Sequence, residues 1–470
     1  MAKMFCGLDF GTTNSSVALA GEEGVRILEL DPVNDNPASL PSLLYMSREG
    51  EHIVGRAAAN AFIDRNVDRE VALEQVDLGI AIDGYVGSEP DKDESYRPPE
   101  FDSGRREAVR AHAMVEVNSP GRLFQSLKTA MRYRSHKGTE VFGQQYQIEE
   151  LTAFILREIK HKVDQAVDEN IDTAVFGRPV RFSTDPEEDA VAERRLRTAA
   201  GLAGFKNVVF FYEPVAACVE YAVTTDRTQR LMVVDIGGGT CDVCVMEFGG
   251  GAETATRLAH SKVLGVAGVT VAGDAIDREI IRAKLFPSFG SRSRYGPSQL
   301  PVPQYLFRTI ADWQNLYKLN TQETLNWLVA MEMSSTEPTA IRALRCLIQR
   351  NYGYPVVREV EQAKKTLSFE QQARIVIEKE AIHIAADLER AEFAHIIEHL
   401  AEDMLGSVKE AETQAQINLG DVDYVLTTGG TSLIPALRHM LEDRYGAERL
   451  LERDTFTSVA TGLAIVSRYV

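Results

Sequence analysis

Two stretches of this chain share one pattern of apolar and polar positions. Residues 6–20 (CGLDFGTTNSSVALA) and 231–246 (LMVVDIGGGTCDVCVM) each set out an apolar β-type run, an Asp, a Gly-rich turn carrying Thr, and a second β-type run. Each is the pattern of a β-hairpin. The echo recurs at a separation of 226 residues, from Asp9 to Asp235. Two copies are too few for a solenoid and predict a duplicated α/β architecture, with two lobes facing one another across a cleft.

Helical spacing fills the interval between the echoes. In QIEELTAFILREIKHKVDQAV (147–167), Ile148, Leu151, Phe154, Ile155, Ile159 and Val163 line one face, which predicts an amphipathic helix. The next helix, 184–204, is expected to begin at Thr184, with Pro186 just inside and Glu187 three residues after the cap, and to run out at Gly201 and Gly204. Strand-like runs at 173–180 and 207–212 flank it, and EPVAACVEYAV (213–223) follows as a helix opened by Pro214. This βαβα alternation predicts a largely parallel or mixed sheet with helices against it. Residues 84–106 and 286–303, rich in Pro, Gly and polar residues, read as loops within insertions.

A length of 470 residues leaves room for about three domain-sized units. The 51 basic and 69 acidic residues give a net charge of −18, so the surface repels phosphate backbones and anionic lipid, and no nucleic-acid partner is expected. Five cysteines make no disulfide framework and fit a reducing, cytoplasmic setting. No run of 18 apolar residues suggests a membrane span, and the start MAKMFCGLDFGTT does not read as a signal peptide.

The two Gly-rich turns carry the candidate chemistry. Glycines let backbone N–H groups approach phosphate oxygens, Thr hydroxyls add donors, and carboxylates hold a hydrated divalent cation. One such turn is ordinary; two in matching contexts can clamp one phosphate chain from both lobes. Neither a Gly-x-x-x-x-Gly-Lys-Ser/Thr loop nor a Gly-x-Gly-x-x-Gly helix opening is present, which argues against a P-loop enzyme and a dinucleotide dehydrogenase. Asp9-Phe10-Gly11 matches a protein-kinase triplet, but only eight residues precede it, too few for a kinase catalytic loop. His395-Ile396-Ile397-Glu398-His399 has the letters of a zinc-protease motif inside a surface-helix pattern, so zinc is not expected. Cys241 and Cys244 lie three apart on a strand, pointing to opposite faces as core thiols.

GLDFGTTNSSVAL, EPVAACVEYA, VVDIGGGTCDV, EQAKKTLS (361–368) and VLTTGGTSLIP (425–435) stand in the order of the phosphate, connecting and adenosine segments of an ATPase domain. With them the chain resembles the DnaK-like, seventy-kilodalton heat-shock chaperones of the actin/hexokinase superfamily. The resemblance spans roughly residues 5–467, excepting insertions near 66–115 and 284–345. It implies an α/β, two-lobed ribonuclease-H-like (actin-like ATPase) fold with duplicated lobes, lobe I over 1–212 and lobe II over 213–470, the last helix returning to lobe I. ATP or ADP and Mg²⁺ are the implied cofactors, with co-chaperones or client proteins as family-level partners.

The same resemblance implies residue roles. Asp9 and Asp235 hold Mg²⁺ through water. Gly11, Thr12, Thr13 and Asn14 on one side, and Gly237, Gly238, Gly239 and Thr240 on the other, clamp the phosphates. Lys128, in FQSLKTAMR, neutralises charge on the γ-phosphoryl group, against the plain alternative of a solvated helix lysine. Glu213 and Asp242 position the attacking water and the cation; for Glu213, capping of its own helix is the plain alternative. Pro179 matches a proline that couples nucleotide state to the rest of the molecule. Glu361, Lys364 and Ser368, a polar stripe at i, i+3 and i+7, meet adenine and ribose, although pattern alone favours an exposed Glu–Lys pair. Gly429, Gly430 and Thr431 pack on the nucleoside, and Leu433 stands where family members usually stack an arginine on adenine. Relatives continue past this point into a peptide-binding domain, whereas the sequence stops at Val470, so the expectation is a slowly hydrolysing, chaperone-like ATPase without that domain. An actin-like filament ATPase and a small-molecule kinase of the same superfamily are the alternatives.

Overall fold

The computed structural model describes residues 4–69, 73–85, 106–116, 118–136, 138–251, 253–452 and 457–469. Its architecture is two five-membered strand arrays of one topology. The first runs in the order Asn207–Tyr212, Thr173–Arg178, Phe5–Phe10, Asn14–Gly21, Gly24–Ile27, with Leu40–Pro41 added beside Asn14–Gly21. The second runs Leu450–Glu452, Tyr424–Thr428, Gln229–Ile236, Cys241–Phe248, Lys262–Val269. In both, the Gly-turn hairpin is antiparallel, a third antiparallel strand follows it on one side, and two parallel strands are added on the other. The duplication expected from the hairpin echo is therefore carried through the whole sheet order. Asp9 and Asp235 occupy the same next-to-last position of their central strands, at the mouth of each turn.

Each sheet has its own core. Leu8, Phe10, Val17 and Leu19 are buried against Ile155, Ile159 and Leu196 of the helices Ile148–Val167 and Pro186–Ala203. Val234, Ile236 and Val243 pack with Ile276, Val360 and Met404 in the second. A third cluster joins the sheets: Val175 of the first and Leu231, Val233 and Cys244 of the second meet Val215, Cys218 and Leu463. Those last three lie on the helices Glu213–Ala222 and Ser458–Val466, so the C-terminal helix returns across the first sheet. Gly462 permits this approach, because a Cβ there would lie 1.8 Å from the carbonyl oxygen of Ala216.

Several expectations change in detail. The helix expected to be capped by Thr184 is capped by Asp185, whose carboxylate accepts from the backbone N–H groups of Glu187 and Glu188. Pro186 takes the first helical position and holds the residue before it extended, which is the capping conformation. Within 84–106, residues 86–105 lie outside the described residues; on either side, Leu73–Tyr85 pairs antiparallel with Arg106–Glu116. The segment 286–303 contains a short antiparallel pair, Arg294–Tyr295 with Leu300–Pro301, and is anchored by buried Phe289 and Val302. The helices Gln304–Ala311, Gln322–Ser334 and Pro338–Gln349 follow, with Leu306, Phe307, Leu328 and Leu344 in the second core. No helix among the described residues is long and apolar enough to cross a membrane.

Candidate functional site

The two Gly/Thr turns meet. A Cβ on Gly238 would lie 2.0 Å from Thr13 Oγ1, and one on Gly239 would lie 2.7 Å from Thr12 Oγ1 and 3.1 Å from Thr129 Oγ1. Glycine is thus required where the turns touch. Gly238→Ala is expected to push Thr13 aside, part the turns and cost roughly 1–3 kcal/mol. Gly237→Ala, whose Cβ would find nothing nearer than Thr240 O at 3.8 Å, is the control, and urea denaturation of both variants reads the difference.

Each turn is buttressed from behind. Ser42 donates its hydroxyl to Gly11 O (2.9 Å) and its N–H to Thr13 O (2.8 Å). Thr431 Oγ1 donates to Gly237 O (2.7 Å), which also accepts from the N–H of Gly273, while Asp274 N–H donates to Gly238 O (2.7 Å). Gly429, at φ 80, lets its chain pass close to Asp235, whose Oδ1 would lie 2.7 Å from a Cβ there. Asn14 opens its strand opposite Pro41.

Charge is concentrated between the turns. Lys128, on the short helix Leu127–Ala130, is buried and donates to Glu213 Oε1 at 2.7 Å, so it is not a solvated helix lysine. Glu213 spends its carboxylate on that lysine, and its helix has no side-chain cap. Asp242 faces Asp235 across the hairpin and accepts from Val180 N–H at 2.6 Å, beside Pro179. Burial, then Glu213, raises Asp9 to about 7 and Asp242 to about 7. Burial, then Glu213, Asp9 and Asp242, pushes Asp235 well above the usual carboxylate range. Burial draws the Lys128 ammonium down, but Glu213 and Asp9 more than offset this and raise it.

Several buried carboxyl groups thus share one ammonium, an excess of negative charge that hard-oxygen donors satisfy by holding a cation such as Mg²⁺. Among the described residues no three His, Cys, Asp or Glu side chains converge to ligate an ion directly. The zinc-protease letters do not form a site: the helix breaks at Ile397, and exposed His395 pairs with Glu398 at 3.2 Å. Cys241 and Cys244 enter different core clusters on opposite sheet faces.

A second polar group lies beside the first. Lys364, on the helix Gly353–Phe369, pairs with Asp277 Oδ2 (2.7 Å) and donates to Gly273 O (3.2 Å), so its partner is not the neighbouring Glu361. Burial, then Asp277, raises Glu361 to about 7 and Asp274 to about 6. Asp277 Oδ1 is buried with no hydrogen-bond partner among the described residues, an acceptor left for another donor. Ser126, in the left-handed region at φ 55, links the two groups through its hydroxyl and Asp274 Oδ2 (3.3 Å). Ser368 makes a long contact, 3.5 Å, to Lys364 O within its own helix. Leu433 ends the short helical turn Gly430–Leu433, half-buried and outside the core clusters.

Sequence reasoning missed Asp274, Asp277, Ser126 and Val180 N–H. The i, i+3 acids of GDAID, at the start of the helix Gly273–Ile280 that follows the third strand of the second sheet, were a usable signal; the left-handed Ser126 and the backbone donor were not.

A model of the Hsp70 protein family matches residues 123–282 and 350–468. Two curated relatives, each named chaperone protein DnaK and drawn from two strains of Thermus thermophilus, are 24% identical to the chain over 468 residues. The alignment covers 98% of this chain and 60% of each relative, so the chain spans about 60% of the length of the curated relatives it matches.

Proposed function

The chain belongs to the Hsp70 family, and from that premise we propose that it is a Mg²⁺-dependent, slowly hydrolysing ATPase of chaperone type. The observation that carries this reading is the buried Lys128–Glu213 pair, set among Asp9, Asp235 and Asp242 where two glycine turns touch. In phosphoryl transfer there is little covalent work for a protein to do; catalysis is positioning and neutralisation of charge.

Backbone N–H groups and hydroxyls of Gly11, Thr12, Thr13 and Asn14 and of Gly237, Gly238, Gly239 and Thr240 bind the phosphates from both sides. Asp9 and Asp235 would hold a Mg²⁺ ion through its water shell, and the ion would supply neutralisation of the phosphate charge. Lys128 neutralises charge developing on the transferring γ-phosphoryl group. Glu213, fixed by Lys128, and Asp242, fixed by the Val180 N–H, orient the attacking water and accept hydrogen bonds from it. Glu361, Lys364 and Ser368 take the ribose and base, with Asp277 holding Lys364 in place. Gly429, Gly430, Thr431 and Leu433 form the opposite wall of the nucleoside site, where Leu433 offers apolar contact to one face of the base.

Nucleotide binding is the testable core. ATP or ADP with Mg²⁺ is expected to stabilise the protein by about 2.7 kcal/mol at a hundredfold excess over Kd, read as a rise in melting temperature. No shift at millimolar nucleotide with Mg²⁺ refutes the proposal. Clients and co-chaperones are proposed only at the level of the family.

A further inference from the structure

The segment 283–349 lies between the two stretches that the Hsp70 family model matches. It differs from the rest of the chain in charge and in surface. It carries seven basic and four acidic residues, within a chain whose net charge is −18. Five of the fourteen large apolar side chains exposed among the described residues also fall in it: Leu300, Tyr305, Tyr317, Val329 and Met333. Exposed apolar groups gathered in one segment, and not scattered singly, mark an interaction surface.

Tyr295, Leu300, Tyr305 and Trp327 gather at one place. Tyr295 and Leu300 stand opposite each other in the pair Arg294–Tyr295 with Leu300–Pro301, which puts both side chains on the same side of that ribbon. Tyr295 meets Trp327, on the helix Gln322–Ser334, edge-on at 6.3 Å. Partial burial, then Glu323 and Tyr295, holds the Tyr305 phenol above its ordinary range, which places its hydroxyl beside both. Leu300 is nevertheless 52% exposed and Tyr305 50%, so the face is open to solvent. It is also pre-formed. Thr336 N–H donates to Arg294 O (2.8 Å) and Gly296 N–H to Ser334 O (3.2 Å), tying the ribbon to the end of the helix that bears Trp327. A partner need not order it, which removes one cost of binding.

Charge around this face is unbalanced. Arg282, Lys284, Arg342 and Arg345, around the ends of the segment, are paired with Glu279, Glu392 and Glu332. Arg292, Arg294 and Arg308 pair with no carboxylate among the described residues, and Arg294 donates instead to Gln299 O (3.0 Å). Arg308 lies one turn from Tyr305 on the helix Gln304–Ala311, where Leu306, Phe307 and Ile310 form the buried side. Tyr305 and Arg308 therefore point outward together, while Arg292 and Arg294 lead into Tyr295. In so acidic a chain, three arginines without carboxylates beside an exposed aromatic face are the complement of an apolar residue flanked by acids. Three cations are too few to hold a nucleic-acid backbone, and Glu323 beside Tyr305 opposes one.

We propose that this face, Tyr295, Leu300, Tyr305 and Trp327 with Arg308 at its edge, docks an extended acidic polypeptide segment. One aromatic or aliphatic side chain of that segment packs on the rings, and its neighbouring carboxylates meet Arg308, Arg292 and Arg294. A guanidinium beside an aromatic ring suits both parts, since it takes a carboxylate through two N–H groups while the ring takes the apolar group. None of these residues belongs to the phosphate turns or to the Glu361–Lys364 group, so the docking stands or falls apart from the nucleotide reading.

Fluorescence anisotropy tests it in the full chain, with a fluorescein-labelled peptide of Phe, Leu, Asp and Ser as the probe and the same peptide with lysines for its aspartates as the comparison. Saturable binding of the acidic peptide is expected. Arg308→Glu and Tyr305→Ala are each expected to weaken it about tenfold or more, and Val376→Ala, at an exposed position of the strand Gln372–Lys379, to leave it unchanged. Trp327 gives a second reading: with Trp313→Phe it is the sole tryptophan, and the acidic peptide is expected to shift its emission. No binding by wild type at near-millimolar protein overturns the proposal. So does equal affinity for the lysine peptide, or tighter binding of a single-stranded oligonucleotide. A wild-type dimer in sedimentation that Tyr305→Ala splits makes a second copy of the chain the occupant, and overturns the peptide.

Discussion

Lys128→Ala is expected to lower ATP turnover by a factor on the order of 10²–10³, the usual cost of removing a group that stabilises transition-state charge. It is also expected to weaken the fold. Lys128 and Glu213 are both buried, 2.7 Å apart, and removing one member of a buried pair costs about 3–5 kcal/mol because the other is left uncompensated. Here the penalty is aggravated by Asp9 and Asp242, which together with Glu213 already raise Asp235, and it is capped by protonation of the stranded carboxyl groups. The double variant Lys128→Met/Glu213→Gln separates the two effects. It removes both charges at similar volume, so most of the stability is expected to return while turnover stays lost. Phosphate release and urea denaturation on the three proteins read this. Wild-type turnover in a folded Lys128→Ala protein shows that another cation does the work.

How much of this was legible in the sequence follows from the range of the interactions involved. The hairpins around Asp9 and Asp235 were readable because strand, turn and strand are local, and their repetition implied the matching sheet order. The helix 147–167 was readable because its apolar face alone fixes it. Glu213 was not assignable from pattern: a carboxylate that opens a helix is a cap by default, and only Lys128, 85 residues away in sequence, draws it elsewhere. Likewise Glu361 and Lys364 look like an exposed pair until Asp277, far upstream, claims the lysine. The contact of Phe62 with Trp313 and Tyr354 was invisible for the same reason, since the three rings come from distant segments with no shared local pattern. The Thr184 cap was misplaced by one residue because Pro186 was read as merely inside the helix and not as its first residue.

Between about pH 5 and 8 the nucleotide-free protein is expected to lose stability as the pH rises. Asp9, Asp242 and Glu361 are raised to about 7, and Asp274 to about 6, whereas in the unfolded chain such groups titrate near 4. The folded state therefore binds more protons over this interval. The stability these groups contribute is fully present below about pH 4 and is lost as the pH passes through about 7. One pKa unit is worth about 1.4 kcal/mol, but Asp9 and Asp242 both answer to Glu213, so their contributions do not add and a combined loss of a few kcal/mol is expected. The surface histidines His52 and His136, both lowered by partial desolvation and then by nearby basic side chains, push weakly the other way. Asp242→Asn isolates the carboxylate part, because it removes one of the protons without touching either histidine. A bound cation reverses the sense: it favours the ionised carboxylates, so Mg²⁺-nucleotide binding is expected to release protons, fewer as the pH rises above about 7, and to tighten as the pH rises. Calorimetry in two buffers of different ionisation enthalpy counts those protons. Stability independent of pH in wild type, with no proton released on binding, means that the carboxyl groups between the turns are already ionised and that Lys128 alone balances them.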